Sequence, residues 1–176
     1  MRVYVELLQR WNRRVNLTSI DRVEDQLRFS FFEAFWAADR FLEGNERLAD
    51  VGAGAGFPGL AMKLFRPSLE VVLIEPNAKK VVFLKEVSRA LGLQVEVFAG
   101  KGEDYLGWAT AGVAAFRALR PSAALLAILA RERVRLLLFE GAEGLQSTDI
   151  AVRRRELVPG SRQRYVTLAK LRPPDG

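Results

Sequence analysis

Asp50-Val51-Gly52-Ala53-Gly54-Ala55-Gly56-Phe57-Pro58-Gly59 is the stretch on which the reading of this chain turns. It follows a short apolar run at 47–51 and leads into a helical pattern at 58–65, with Pro58 expected in the first helical turn. Glycines at alternate positions let the backbone turn tightly and approach a ligand with no Cβ in the way. The helix that follows offers unbonded N–H groups. In an open α/β sheet, ligands bind outside the carboxyl ends of the strands, near the point where strand order reverses. The stretch therefore predicts a cofactor turn, and two cofactors compete for it. Gly54-Ala55-Gly56-Phe57-Pro58-Gly59 matches the dinucleotide pattern GxGxxG, which points to an NAD-dependent oxidoreductase. In that register, however, Pro58 removes an N–H that could face a pyrophosphate. Asp50, just ahead of the glycines, suits a ligand carrying an ammonium group, as the methionine part of S-adenosylmethionine does.

Outward from this turn the pattern alternates. Strands are predicted at 47–51, 70–75, 94–98, 113–116 and 134–139, and helices at 58–65, 78–91 (closed by Gly92) and 121–130. A hairpin over 151–158 and 163–171 turns at Pro159-Gly160-Ser161. Two helices come first. Residues 3–15 carry Val3, Leu7, Leu8, Trp11 and Val15 at helical spacing, and 21–42 is rich in Phe and Trp, with Asp21 as its cap. The order predicts an α/β fold: a seven-stranded, mostly parallel sheet with helices on both faces and an N-terminal helical extension. The chain reads as one domain, with a helical segment at 1–45, a cofactor-binding core at 46–140 and a basic hairpin region at 141–176. Pro173-Pro174-Asp175-Gly176 is expected to be loose. Glu75 closes the second strand, where a carboxylate can accept from both ribose hydroxyls of an adenosine; it suits either cofactor. Glu103, in Lys101-Gly102-Glu103-Asp104 after the third strand, lies where an adenine contact falls.

The 176 residues include no Cys and no His. That removes thiolate nucleophiles, imidazole bases, disulfides and the usual zinc ligands, so no metal site is expected. The net charge is +6, and nearly all of it lies beyond residue 150, in Arg153, Arg154, Arg155, Arg162, Arg164, Lys170 and Arg172 against two acids. A basic tail on a nearly neutral body suggests nucleic acid as partner; Arg153-Arg154-Arg155 is equally readable as a solvated face. No stretch is long and apolar enough to span a bilayer, and the first residues lack the apolar run of a signal peptide, so a cytoplasmic location is expected.

Four motifs stand in one order: Trp11-Asn12-Arg13-Arg14-Val15-Asn16-Leu17-Thr18, the glycine stretch with its Phe57-Pro58-Gly59 extension, Lys79-Lys80 followed by Phe83-Leu84, and Arg117-Ala118. In that order and spacing, over about residues 4–171, the chain resembles the small-subunit ribosomal RNA methyltransferase G family, also called glucose-inhibited division protein B. The resemblance implies a Rossmann-like S-adenosylmethionine-dependent methyltransferase fold and methyl transfer to N7 of a guanine in 16S ribosomal RNA, free or in the 30S particle. It places cofactor contacts on Gly52, Phe57, Gly102, Glu103 and Arg117, and basic site residues on Lys79, Arg117 and Arg164, with Lys101 where the family usually has Arg. Some positions depart from the family pattern. Ser30, Glu33 and Ala34 stand where a His, an Asp and a Ser are usual, Gly112 replaces an acid, and Glu140-Gly141 replaces Lys-Gly. The N-terminus is short by part of a helix. These changes lie on the substrate side and leave open a non-catalytic S-adenosylmethionine- or RNA-binding relative.

The chemistry suits what the chain lacks. Guanine N7 carries an exposed lone pair and needs no base to remove a proton first. Positioning and electrostatics can then suffice. Arg117, ending the fourth strand, is expected to orient the substrate or the methionine end of the cofactor, and Lys79 and Arg164 to hold RNA phosphate or guanine O6. A monomer is expected.

Overall fold

The computed structural model describes residues 1–20, 22–144 and 149–172; the expected cap at Asp21 and the tail 173–176 lie outside them. Seven strands, β1 (Arg47–Val51), β2 (Glu70–Ile74), β3 (Glu96–Phe98), β4 (Val113–Arg117), β5 (Arg135–Glu140), β6 (Ile150–Leu157) and β7 (Tyr165–Leu171), form one sheet in the order β3-β2-β1-β4-β5-β7-β6. The first five pair in parallel. β7 slots antiparallel between β5 and β6. The chain runs outward from β1 to β2 and β3, then returns to lay β4 on its other side. Strand order thus reverses at β1, and the glycine turn leaves the sheet there.

Both faces of the sheet are covered, so its strands read as apolar runs rather than as alternating patterns. Leu48, Leu73, Ala115 and Leu137 point to one face, packed by α1 (Arg2–Val15), α3 (Glu33–Phe41), α4 (Gly59–Phe65) and α5 (Ala78–Ala90). Ala49, Ile74, Ala114 and Leu136 point to the other, under α6 (Ala123–Arg131) and two 3₁₀ turns, Gly102–Asp104 and Leu106–Thr110. Those turns carry no apolar period in the sequence. Trp108 gathers them by donating its buried indole N–H to the Gly102 carbonyl at 2.8 Å. α6 begins later than expected because Ser122 caps it, its Oγ accepting from the Leu125 N–H at 3.1 Å. Likewise α4 starts at Gly59, with Pro58 as its cap rather than its first residue.

The two N-terminal helices differ most from expectation. α1 buries Tyr4, Val5, Leu7 and Leu8, while Val3 is 40% exposed. Spacing alone favoured Val3, but the hydroxyl partner available to Tyr4 turns the helix toward it. The stretch read as one helix over 21–42 is α2 (Val23–Gln26), a π-helical segment Leu27–Phe32, and α3. The wider i→i+5 turn rotates everything after it. Phe31 goes inside, Phe32 stays 43% exposed, and Glu33 is buried. Among the described residues, no helix is long and apolar enough to cross a membrane.

Candidate functional site

The glycine turn is built from backbone. The Gly52 and Ala53 N–H groups both donate to the Ile74 carbonyl, at 2.8 and 3.1 Å, and the Gly56 N–H donates to the Ala53 carbonyl at 2.6 Å. Gly56 has φ +84, and a Cβ there would lie 2.2 Å from the Tyr4 hydroxyl oxygen. Only glycine fits that point. The Tyr4 hydroxyl donates to the Ala55 carbonyl at 2.8 Å, its ring stacks on Phe57 at 5.4 Å, and Phe31 meets both edge-on. Burial raises the Tyr4 pKa well above its ordinary value, so the hydroxyl keeps its proton and remains a donor. The first helix therefore clamps the glycine turn.

Asp50 lies beneath the turn. Its Oδ2 accepts the Gly59 N–H at 2.8 Å, and the side chain is fully buried. Burial pushes its pKa up to about 7 against the pull of the Gly59 N–H and of Arg117, with Glu75 adding to the rise. The next N–H groups of α4 are also spent internally: Leu60 and Ala61 donate to the Gly56 carbonyl at 3.0 and 3.2 Å, and Met62 to the Pro58 carbonyl at 2.9 Å. Pro58 has none to give. A dinucleotide pyrophosphate normally rests on such donors; here they face inward, over a carboxyl group.

Glu75 is nine-tenths buried or more and holds two backbone groups, the Gly54 N–H on Oε2 at 2.9 Å and the Asn77 N–H on Oε1 at 2.8 Å. Gly102 abuts Val51 at the end of β1, where a Cβ would come within 3.3 Å of its side chain and 2.9 Å of Leu125. Glu103 Oε1 accepts the Ser122 hydroxyl at 2.6 Å, and that bond lowers the carboxyl pKa.

The cations gather on Glu33, read from the sequence only as a departure from the family pattern on the substrate side. Glu33, 2% exposed at its side chain, accepts Arg164 Nε on Oε1 at 2.8 Å and Arg164 Nη2 on Oε2 at 2.6 Å. Arg117 Nη2 stands 3.2 Å from Glu33 Oε2 and donates to the Phe29 carbonyl, in the π-helical segment, at 2.5 Å. Arg164 Nη2 reaches the same carbonyl at 3.4 Å. Arg117 also lies 5.8 Å from the Phe57 ring centroid. Burial lowers the Arg117 pKa while Glu33 supports the charge. Two cations on one carboxylate leave one net positive charge, and these bonds use only Nη2 of Arg117. The available signals for Glu33 were an acid in an aromatic helical stretch and the Asp usual at this position in the resembled family.

A cleft of about 700 Å³ joins these parts. Of the expected site residues, Gly52, Gly54, Phe57, Arg117 and Arg164 line it, together with Glu33 and Lys80. Asp50, Gly56, Glu75, Gly102 and Glu103 stand behind or beside this wall. Lys79 is exposed and outside the lining, and its neighbour Lys80, half-buried, takes the place expected for it. The arginine run on β6 is largely occupied elsewhere. Arg154 pairs with Glu156 and the Arg40 carbonyl, and Arg155 pairs with Glu140 and lies over the Tyr165 ring at 3.8 Å.

Comparison with known proteins places this arrangement. The ribosomal RNA small subunit methyltransferase G of Clostridium tetani is 37% identical over 105 residues, 58% of this chain and 44% of that protein. The protein of the same name from Streptococcus gordonii is 38% identical over 105 residues, with the same coverage. The chain thus spans under half the length of these curated relatives. The mitomycin 7-O-methyltransferase MmcR shares the fold, with a TM-score of 0.65 at 16% identity over 80% of this chain and 53% of that one. A family model, rRNA small subunit methyltransferase G, matches residues 1–162. By that match, which takes in the glycine turn, the helical clamp and the strand bearing Arg117, the chain belongs to the rRNA small subunit methyltransferase G (GidB) family.

Proposed function

We propose that the cleft binds S-adenosylmethionine against the glycine turn and that the chain methylates N7 of a guanine in small-subunit ribosomal RNA, acting in the cytoplasm as one domain. The observation that carries this reading is the convergence, on one cleft, of a glycine turn with inward-spent helix donors and a cluster of cations around Glu33, in a chain with no His or Cys. The residues fit the cofactor. The cleft has the size of a small-molecule site, about 300–1,000 Å³. A Cβ on Gly54 would meet nothing nearer than the Gly52 carbonyl at 3.6 Å, so the turn is open where it lines the cleft. Each Glu75 oxygen holds one backbone N–H, and a carboxylate has about four acceptor positions, so the carboxylate retains capacity for the ribose hydroxyls. Gly52, Gly54 and Phe57 would form the cofactor wall, Gly102 and Glu103 its adenine end, and Asp50 would act through the turn it holds.

When bound, the cofactor supplies a methyl group made electrophilic by its sulfonium sulfur. Guanine N7 presents its lone pair without deprotonation, which a site with neither His nor Cys can exploit. The work left to the protein is to orient the base and exclude water. Arg117 has an edge not used by Glu33 or Phe29 and would face guanine O6 from the end of β4. Arg164, held bidentate by Glu33, and Lys80, with Lys79 beside it, would steer the RNA backbone to the cleft mouth.

The test is calorimetry with S-adenosylhomocysteine and NADH, followed by incubation with labelled S-adenosylmethionine and small-subunit RNA, free and as 30S particles. Expected outcomes are binding of the homocysteine compound but not NADH, and label recovered as 7-methylguanosine. Folded protein that binds neither the cofactor nor its product overturns the reading. Binding without transfer reduces it to a binding-only relative.

A further inference from the structure

A second cleft, of about 1010 Å³, opens between the end of α1 and α2 and shares Leu17, Thr18 and Ser19 with the first. Its wall is almost wholly neutral and polar: Gln9, Asn12, Asn16, Thr18 and Gln26, with Arg13 as the one charge among the described residues that line it. The connecting loop is fixed. Asn12 Nδ2 donates to the Thr18 carbonyl and Asn12 Oδ1 accepts the Thr18 N–H, both at 2.9 Å, while Asn16 caps α1 at φ 49. Gln26 is 1% exposed, and its Nε2 donates to the Ile20 carbonyl at 2.7 Å. Its Oε1 is the buried side-chain polar atom that, among the described residues, has no hydrogen-bond partner. A buried carbonyl left unpaired costs stability, and such an exception calls for an explanation.

An acceptor without a partner asks for a donor, which a bare anion does not have. Among the described residues that line the cleft there is no carboxylate, so they offer a metal cation no countercharge. Planar amides instead match the mixed donor and acceptor edges of a nucleobase. Sequence-specific proteins read unpaired RNA in this way, with bases splayed into polar pockets. We infer that this second cleft is a subsite for an unpaired nucleotide of the RNA adjoining the methylated guanine, with Gln26 Oε1 accepting an N–H from the base and Arg13 facing a phosphate. The inference rests on the proposed RNA substrate. It adds to that reading a reason for the Trp-Asn…Asn-Leu-Thr segment: the segment shapes the wall between the two clefts.

The experiment follows the side-chain amide resonances of Gln26, Asn12 and Asn16 in ¹⁵N-labelled protein titrated with AMP, CMP, GMP and UMP, and with ribose 5-phosphate as the probe lacking a base. At least one nucleotide should shift them where ribose 5-phosphate does not. Gln26→Leu should weaken binding of that nucleotide and of a short single-stranded RNA about tenfold, the scale of one hydrogen bond to a buried group. The double variant Gln9→Ala/Arg13→Ala, confined to exposed positions, should weaken oligonucleotide binding and lower its salt slope by about one. Equal response to ribose 5-phosphate, or RNA affinity unchanged in both variants, overturns the subsite. If wild-type protein methylates RNA and the variants bind it normally, only the subsite falls. If it methylates nothing and a nucleotide still shifts Gln26, the enzymatic reading falls and the nucleotide site stands.

Discussion

The two walls of the main cleft are made of different materials. The glycine-turn wall is backbone: carbonyls of Ile74, Ala53 and Gly56 organise a turn of consecutive residues, and side chains enter only to hold it. The facing wall is charge: Glu33, Arg117 and Arg164 come from three separate segments and are fixed by one another. The backbone wall fails at Gly56 when a single atom is added, because the Tyr4 hydroxyl already fills that point. A charge wall fails when a single charge is removed, because the largely buried Arg117 is then left without its countercharge. Of the departures from the family pattern, Ser30, Glu33, Glu140 and Gly141 line this cleft, where Glu33 for Asp keeps the carboxylate and lengthens its reach, whereas Gly112, expected on the substrate side, lies at the opposite end of β4 with its N–H on the Arg47 carbonyl.

That contrast can be broken from either side. The largest effect is expected from Gly56→Ala, which adds a methyl 2.2 Å from the Tyr4 hydroxyl oxygen at a left-handed φ. A loss of about 4 kcal/mol in denaturant melts is expected, from strain plus overpacking, and cofactor affinity should vanish with it. Next comes Glu33→Gln, which strips two guanidinium groups of their countercharge at a cost of about 3 kcal/mol. Cofactor affinity by calorimetry should survive in the fraction that remains folded, whereas methyl transfer should fall at least a hundredfold. If both readouts fall together, the two walls are not separable.

Asp50 sharpens the comparison through pH. Its folded pKa of about 7 lies above the ordinary 3.8, so the folded chain keeps a proton that the unfolded chain has already lost. The stability from this group is complete below 3.8 and is lost as pH rises toward and through 7, at no more than about 1.4 kcal/mol per pH unit. Asp50→Asn keeps an acceptor for the Gly59 N–H and should flatten that stretch of the profile. The check is the difference in unfolding free energy between variant and wild type from pH 4 to 8. A flat difference contradicts the burial argument. The smallest effect is expected from Tyr4→Phe, which keeps the stack on Phe57 and loses one bond to Ala55, for about 1 kcal/mol in stability and a few-fold weaker cofactor binding.

The same contrast decides what could be read from the amino acids. Strand β1, the turn after it and its glycines are local in sequence, and their boundaries follow from apolar runs and the missing Cβ. So do Gly92 at the end of α5 and Gly160 in the β6–β7 hairpin. Glu33 was read as a substrate-side departure, but its role as the anchor of two arginines was not legible, because it depends on a π-helical turn that breaks the 3.6-residue period and on an arginine 131 residues away. Tyr4 was missed for a related reason: its partner is a carbonyl, which no side-chain pattern advertises. Lys80 and Lys79 differ only in helix phase, which the cap at Asn77 sets through bonds to both backbone N–H groups. Charge counting beyond residue 150 overstated the basic surface, since Arg154 and Arg155 are tied to Glu156 and Glu140.

The position of β7 orders events in the life of the chain. It follows β6 in the chain, yet it lies inside the sheet between β5 and β6, and the residue just before it is Arg164. A polypeptide still emerging from the ribosome therefore displays its glycine turn while Glu33 waits for half of its countercharge. The chain must therefore extend as far as β7 before both guanidinium groups can meet on Glu33.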